Sequence, residues 1–205
     1  MKLYYSPGAC SLSPHIALLE AGLPYDLVKV DLKAKKLENG DDYLKVNPKG
    51  QVPALGLDNG ELMTEGPVIV QMIADKATGK NLAPANGTAE RYKLQEWLNF
   101  ITTELHKNFS PLFQPVIPDD VKAFFKDRIM GKFKYADSKL AGQDYLMGKQ
   151  FTVADGYMFV MLKWAERTGM DLSAFKNLTA FKDRVAARPN VQAALAMEAQ
   201  AQKAA

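Results

Sequence analysis

Residues 79–87, GKNLAPANG, separate two stretches of chain with different periodicity. Gly, Pro and Asn cluster there as they do in linkers. Before this segment, short apolar runs alternate with turn residues. After it no run reads as a strand, and helical spacing continues along the chain. Such a chain is constrained to a small α/β domain followed by an all-α domain, with expected bounds of 1–80 and 87–205. Its 205 residues are enough for two cores of that size.

The first stretch resolves into elements. Residues 2–5 read as a short buried strand that stops at Ser6-Pro7-Gly8. Residues 11–22 read as a helix with Ile16, Leu18, Leu19 and Leu23 on its apolar stripe and Gly22 at its end. Pro14 fits there only in the first turn, where its missing N–H costs nothing. DLVKVD, 26–31, alternates like a half-buried strand, and 41–46 suggests a short helix. Ala54–Leu57 and Glu61–Met63 flank Asp58-Asn59-Gly60, a hairpin turn. A helix over 65–76 follows, with Pro67 in its first turn. Strand, helix, strand, short helix, hairpin and helix is a thioredoxin-like order.

In the second stretch, Leu94, Trp97, Leu98, Ile101 and Leu105 share one face of a long helix. Pro115 and Pro118 break the chain, and another helix is expected over 119–141. FTVAD starts a third: Thr152 and Asp155 make a capping box, with Phe151 as a hydrophobic staple. Helices around 173–187 and after Pro189 complete the domain, and the Ala-rich end reads as frayed.

Composition narrows the function classes. A net charge of +3 is too weak to imply nucleic acid, and no apolar run is long enough for a bilayer. The first residues lack the apolar core of a signal peptide. The one cysteine cannot form an internal disulfide, which points to a reducing, cytoplasmic setting. No spacing matches a metal site, a triad, a phosphate loop or a dinucleotide loop.

That cysteine, Cys10, lies at the start of the first helix, where unpaired N–H groups and the helix dipole favour a thiolate. Ser11 offers either a hydroxyl to the same place or a plain N-cap. Tyr4 and Tyr5 alternate onto opposite faces, so at most one is near Cys10. Cys10-Ser11-Leu12-Ser13 also fits the Cys-x-x-Ser pattern of monothiol glutaredoxins. Pro53, before a buried strand, is a candidate cis proline or an ordinary strand-start proline. In the cis form, Val52 would present its backbone as an open edge for an extended peptide. Glu65 and the Gly66 N–H open the 65–76 helix; they suit an α-amino-acid head group, or Glu65 merely complements the dipole. Lys33, Lys35 and Lys36 form a cationic loop that is either solvated or faces an anion. Asn99, Thr103, His106 and Ser110 follow helical spacing as a polar stripe, from which Glu104 diverges.

KLYYSPGACSLSPHIAL, VNPKGQVPAL, MTEGPVIVQ, EWLNF, TELHK and FTVADGYMF, in this order, resemble the bacterial beta-class glutathione S-transferases from residue 1 to about 197. The resemblance implies a thioredoxin-like domain followed by a helical domain, a homodimer, and glutathione as co-substrate without a metal. It implies Cys10 at the glutathione sulfur and able to form a mixed disulfide with it, with Ser11 and His106 as further catalytic candidates. It implies Lys35 on the glycine carboxylate, Val52 and cis Pro53 on the cysteinyl backbone, and Glu65 and Gly66 on the γ-glutamyl head. Asn99, Thr103 and His106 would line the cleft, and Glu104 would reach the partner subunit's site. Thr152 and Asp155 would serve folding alone. Gly66 stands where many relatives carry serine.

The expected activity is conjugation of glutathione to small hydrophobic electrophiles, a detoxification chemistry, with added thiol–disulfide exchange or peroxidase activity. The electrophile is expected against residues 100–118 and the end of the chain. A mainly glutaredoxin-like thiol transferase and a non-enzymatic ligand carrier or stress regulator of the same fold are the alternatives.

Overall fold

A computed structural model describes residues 1–203. The chain divides into two compact units: Met1–Leu82 together with the segment from Arg188 onward, and Ala83–Ala187.

The first unit is built on a five-stranded sheet of order β3-β2-β1-β4-β5. β1 (Lys2–Tyr5) pairs parallel with β2 (Asp26–Asp31) and antiparallel with β4 (Ala54–Gly56). β5 (Leu62–Thr64) returns along β4 through the Asp58-Asn59-Gly60 turn, where Gly60 takes φ +86°. β3 (Lys36–Leu37) is a two-residue edge strand that periodicity cannot reveal, since two residues carry no period. The short helix expected at 41–46 is a 3-10 turn, Tyr43–Lys45.

Alternation along β1 sorts its tyrosines. Leu3 and Tyr5 are buried on the face that carries α1 (Leu12–Ala21), with the Tyr5 ring 6.2 Å from that of His15. Tyr4 goes to the other face with Val30, Tyr43 and Val52, 5.7 Å from the Tyr43 ring. α1 ends at Gly22, whose left-handed φ of +66° accommodates the stop. α2 (Gly66–Lys76) starts at Gly66-Pro67 and buries Ile69, Val70, Ile73 and Ala74.

α1 is buried from Leu12 through Leu18, not along one stripe alone. The cause is α8 (Pro189–Lys203), which packs on it. The helical body expected over 87–205 therefore ends at Ala187, and its last helix belongs to the first unit. A bidentate fork of Arg188 on Glu20, at 2.6 and 2.8 Å, ties the start of α8 to the end of α1. The frayed end expected from the alanines is likewise replaced by a continuous helix up to Lys203, with Val191, Ala194 and Glu198 buried. The final two residues, also within that expectation, lie outside the described part.

The second unit is helical. α3 (Ala89–Phe100) runs into a π-helical segment, Ile101–His106, and then into α4 (Lys107–Phe109) and a 3-10 turn, Ser110–Phe113. α5 (Asp119–Lys139), α6 (Val153–Arg167) and α7 (Lys176–Ala186) complete it. α6 is its core: every residue from Val153 to Leu162 is buried. The expected capping box forms. Asp155 accepts from the Thr152 N–H at 2.7 Å and also from the Leu146 N–H at 2.8 Å, so it holds the incoming loop as well as the helix start. Asp155→Ala orphans these donors in a fully buried place. It is expected to lower stability by about 2–4 kcal/mol in chemical denaturation, with an unchanged fold by circular dichroism.

Candidate active site

Three loops of the first unit carry its candidate residues. The turn after β1 holds Ser6–Ser11. Cys10 lies two residues before the first residue of α1, half-buried, with its Sγ 3.3 Å from the Val52 carbonyl oxygen. That is the geometry of a thiol donating to the carbonyl. Ser11 does not share this place. Its hydroxyl is fully buried, accepts from the Ser6 N–H at 3.1 Å and donates to the Ser6 carbonyl at 3.2 Å. It makes no side-chain cap either. Ser11 is a clamp that closes the loop around Cys10, and the expected N-cap is corrected by this geometry.

The loop before β4 contributes Val52 and Pro53, joined by a cis peptide bond. The preceding carbonyl, of Gln51, is taken by the Tyr43 hydroxyl and the Asn47 amide, both at 2.8 Å. Two side chains thus hold the strand approach in place. The loop after β5 contributes Glu65 and Gly66. Glu65 stands at φ +69°, a region that non-glycine residues seldom occupy. Its side chain makes no helix cap. It pairs instead with Lys49, whose Nζ lies 2.6 Å from Oε1 and 2.9 Å from the Thr64 hydroxyl. A Cβ added at Gly66 would stand 3.7 Å from the Pro53 ring. Cys10, Val52, Pro53, Gly66 and Glu65 are therefore contiguous. At the other end Lys35, at φ +56°, folds its stem against Gly50 and donates to the Gly50 carbonyl at 2.7 Å. Lys33 and Lys36 point into solvent.

Two members of this site escaped the sequence reading. Lys49 lies inside VNPKGQVPAL but is one lysine among many. Glu198, in the Ala-rich helix, is buried and accepts from the Gly8 N–H at 2.8 Å, beneath the Cys10 loop. Its other oxygen lies 3.6 Å from the fully buried His15 ring. The available signal was its spacing of seven from Val191, which puts an acid on the apolar face of α8.

The second unit holds Asn99, Thr103, Glu104 and His106. They do not form one stripe. Within Ile101–His106 the Lys107 N–H reaches back to the Thr102 carbonyl, one residue further than in an α-helix, which turns later side chains around the axis. Side chains take up carbonyls along this stretch: Thr102 donates to Leu98, Thr103 to Asn99 and Asn108 to Glu104. Asn99 and Thr103 stay exposed, and Glu104 pairs with Lys132 at 2.7 Å, which holds its carboxyl below the usual range. His106 instead enters an aromatic nest. Its Nδ1 lies 2.6 Å from the Tyr157 hydroxyl and its ring meets Trp164 edge-on at 4.9 Å. Tyr157 and Trp164, seven apart on one face of α6, are the partners the sequence reading missed. Among the described residues no cluster of three or more His, Cys, Asp or Glu could hold a metal.

The Glutathione S-transferase N-terminal domain model matches residues 8–76 and the Glutathione S-transferase C-terminal domain model matches 100–189. The chain belongs to the glutathione S-transferase family. It is 48% identical over 198 residues to glutathione S-transferase GstA of Escherichia coli O157:H7, covering 97% of this chain and 98% of that one. It is 49% identical to a bacterial beta class glutathione S-transferase of Sphingomonas chungbukensis, with a TM-score of 0.93 over 97% and 98% of the two chains. A sphingomonad glutathione S-transferase complexed with glutathione is 48% identical, with a TM-score of 0.94 over 97% and 99%.

Burial lowers the His106 pKa to about 4, with the Lys107 charge adding to the effect. At neutral pH this transferase carries His106 as a neutral imidazole. Its folded pKa lies below the ordinary 6.5, so protonation favours the unfolded chain. The resulting stability is fully present above pH 6.5 and is lost as pH falls toward 4, a change of roughly 3 kcal/mol. Melting curves between pH 7 and 4.5 should fall along that slope, and His106→Phe should flatten it.

Proposed function

We propose that this glutathione S-transferase holds glutathione on the first unit's three loops and joins its sulfur to small hydrophobic electrophiles. The observation that carries this reading is the contiguity of a strained acid, a helix start, a cis-proline backbone turn and a thiol. Glutathione is an extended peptide with a zwitterionic amino-acid head, a thiol in the middle and a carboxylate tail. The Glu65 carboxylate suits the α-ammonium and the Gly66 N–H the α-carboxylate. The Val52 backbone suits pairing with the cysteinyl residue. Lys35 and Lys49 are the cations available to the tail, once they exchange their present partners. The relative in complex with glutathione supports the same ligand.

In the transfer step the deprotonated glutathione sulfur attacks an electrophilic carbon, a carbon–sulfur bond forms and the leaving group departs with the electron pair. The rim that positions this sulfur is Cys10 with the Ser6–Ser11 turn clamped under it. In the second unit, His106 is bonded to Tyr157 and stays a neutral imidazole, with no resting positive charge. Cys10 supports a second activity, thiol–disulfide exchange: its thiolate attacks glutathione disulfide, forms a mixed disulfide and releases one glutathione thiolate.

Calorimetric titration with glutathione and turnover of chlorodinitrobenzene test the reading together. Glu65→Gln should weaken glutathione binding about tenfold or more, the worth of one charge-assisted bond. Cys10→Ala should abolish the mixed disulfide seen by mass spectrometry while conjugation falls less than tenfold. Absence of glutathione binding by the unmodified protein would favour the non-enzymatic carrier.

The protein is further proposed to act in the cytoplasm as a homodimer. Trp97, Phe100 and Tyr135 pack mutually at 5.2–6.1 Å along α3 and α5, lining a groove of about 970 Å³, and Tyr135 is 43% exposed. An aromatic patch of this kind, rimmed by the Glu104–Lys132 pair, suits a second copy. Light scattering should give twice the chain mass, and Tyr135→Glu should shift it toward the monomer.

A further inference from the structure

Lys49 lies on the loop before β4, and its Nζ donates to Glu65 Oε1 at 2.6 Å and to the Thr64 hydroxyl at 2.9 Å. An ammonium carries three N–H donors. The third has no acceptor among the described residues. Both side chains of the Lys49–Glu65 pair are more than half exposed, so a ligand can reach either charge. Lys35, the other cation of these loops, is engaged apart from them, at the Gly50 carbonyl. An exposed ion pair adds little to folding. What this pair supplies is a pattern: a positive and a negative charge side by side, with the positive one steadied by a second bond to Thr64.

Such a pattern sorts ligands by charge. A lone ammonium at Glu65 meets the repulsion of Lys49, and a lone carboxylate at Lys49 meets that of Glu65. An α-amino-acid head carries both charges on one carbon. Laid antiparallel on the pair, it closes a ring of four alternating charges.

We infer that Lys49 is a specificity-determining residue that makes the Glu65 site select a zwitterionic head group. Its third N–H takes the α-carboxylate while Glu65 takes the α-ammonium. This rests on the glutathione reading given above, and of the two cations available there it gives Lys49 to the γ-glutamyl head and leaves Lys35 to the tail. Lys49 acts on which peptide binds and takes no part in the bond-making step.

The test uses three S-methyl peptides, in which the blocked sulfur excludes transfer and disulfide chemistry. They are S-methylglutathione, its 4-aminobutyryl analogue without the α-carboxylate, and its glutaryl analogue without the α-ammonium. Each is titrated by calorimetry into the unmodified protein and into Lys49→Met. The substitution should weaken S-methylglutathione about fivefold, the worth of one exposed charged contact. The glutaryl analogue should weaken with it. The 4-aminobutyryl analogue should bind the variant as tightly as the unmodified protein or more tightly, because the repulsion on its ammonium is gone. Lys49→Arg, which keeps the charge, should recover most of the loss. Equal weakening of S-methylglutathione and the 4-aminobutyryl analogue would place Lys49 on the tail or in the fold and overturn the inference, as would no change in either. Binding of S-methylglutathione without dependence on Lys49 overturns this assignment alone. Failure of the unmodified protein to bind any of the three overturns the glutathione reading and this assignment with it.

Discussion

The site depends on the register of β1, β4 and β5. Tyr4 stands opposite Ala54, and Ala54 stands opposite Thr64. β1 therefore ends, β4 begins and β5 ends on the same edge of the sheet. The three loops that leave this edge are Ser6–Ser11, Val52–Pro53 and Glu65–Gly66. A slip of one residue in either pairing would turn Tyr4 or Leu55 to the wrong face of a sheet buried on both sides. The cores that hold the register, Leu3 and Tyr5 on one face and Tyr4, Val30 and Tyr43 on the other, thereby also hold Cys10 beside Val52.

Around that edge, polar groups whose sequence positions are far apart act as loop supports. Ser11 closes the turn on Ser6, Glu198 holds Gly8, and Tyr43 and Asn47 converge on the Gln51 carbonyl. None of these groups needs to touch a substrate to matter. Each supplies a bond to a backbone group in a region of little regular structure, where an unpaired amide or carbonyl would be costly. The strain at Glu65 falls at the opposite end of the same arc, where a side chain is directed away from its own helix and toward the loop bearing Lys49.

The second unit solves a different problem. It must enclose a histidine among aromatic rings without losing a helical core. α6 supplies the core through its unbroken buried run from Val153 to Leu162, and its Tyr157 and Trp164 also build the nest around His106. The π-helical segment makes this possible by turning His106 out of the polar stripe it would occupy in an uninterrupted α-helix. The carbonyl ladder is disturbed as a result, and Thr102, Thr103 and Asn108 compensate by donating to it. Burial in that nest then settles the charge state of the imidazole.

The sequence by itself determined the type and order of nearly all elements, the hairpin at Asp58–Gly60, the helix stop at Gly22 and the capping box at Thr152–Asp155. These features are local: periodicity, turn chemistry and caps act over a few residues and leave their mark in the residue types. It also marked Cys10, Val52, Pro53, Glu65 and Gly66, because each lies at an element boundary. Tertiary structure alone decided the rest. α8 joined the first unit because Arg188, Val191, Ala194 and Glu198 found partners there, which its helical period could not announce. Ser11 became a clamp, Lys49 the partner of Glu65, and His106 a neutral ring, because bonding partners and burial belong to the packed chain and to no single position in it.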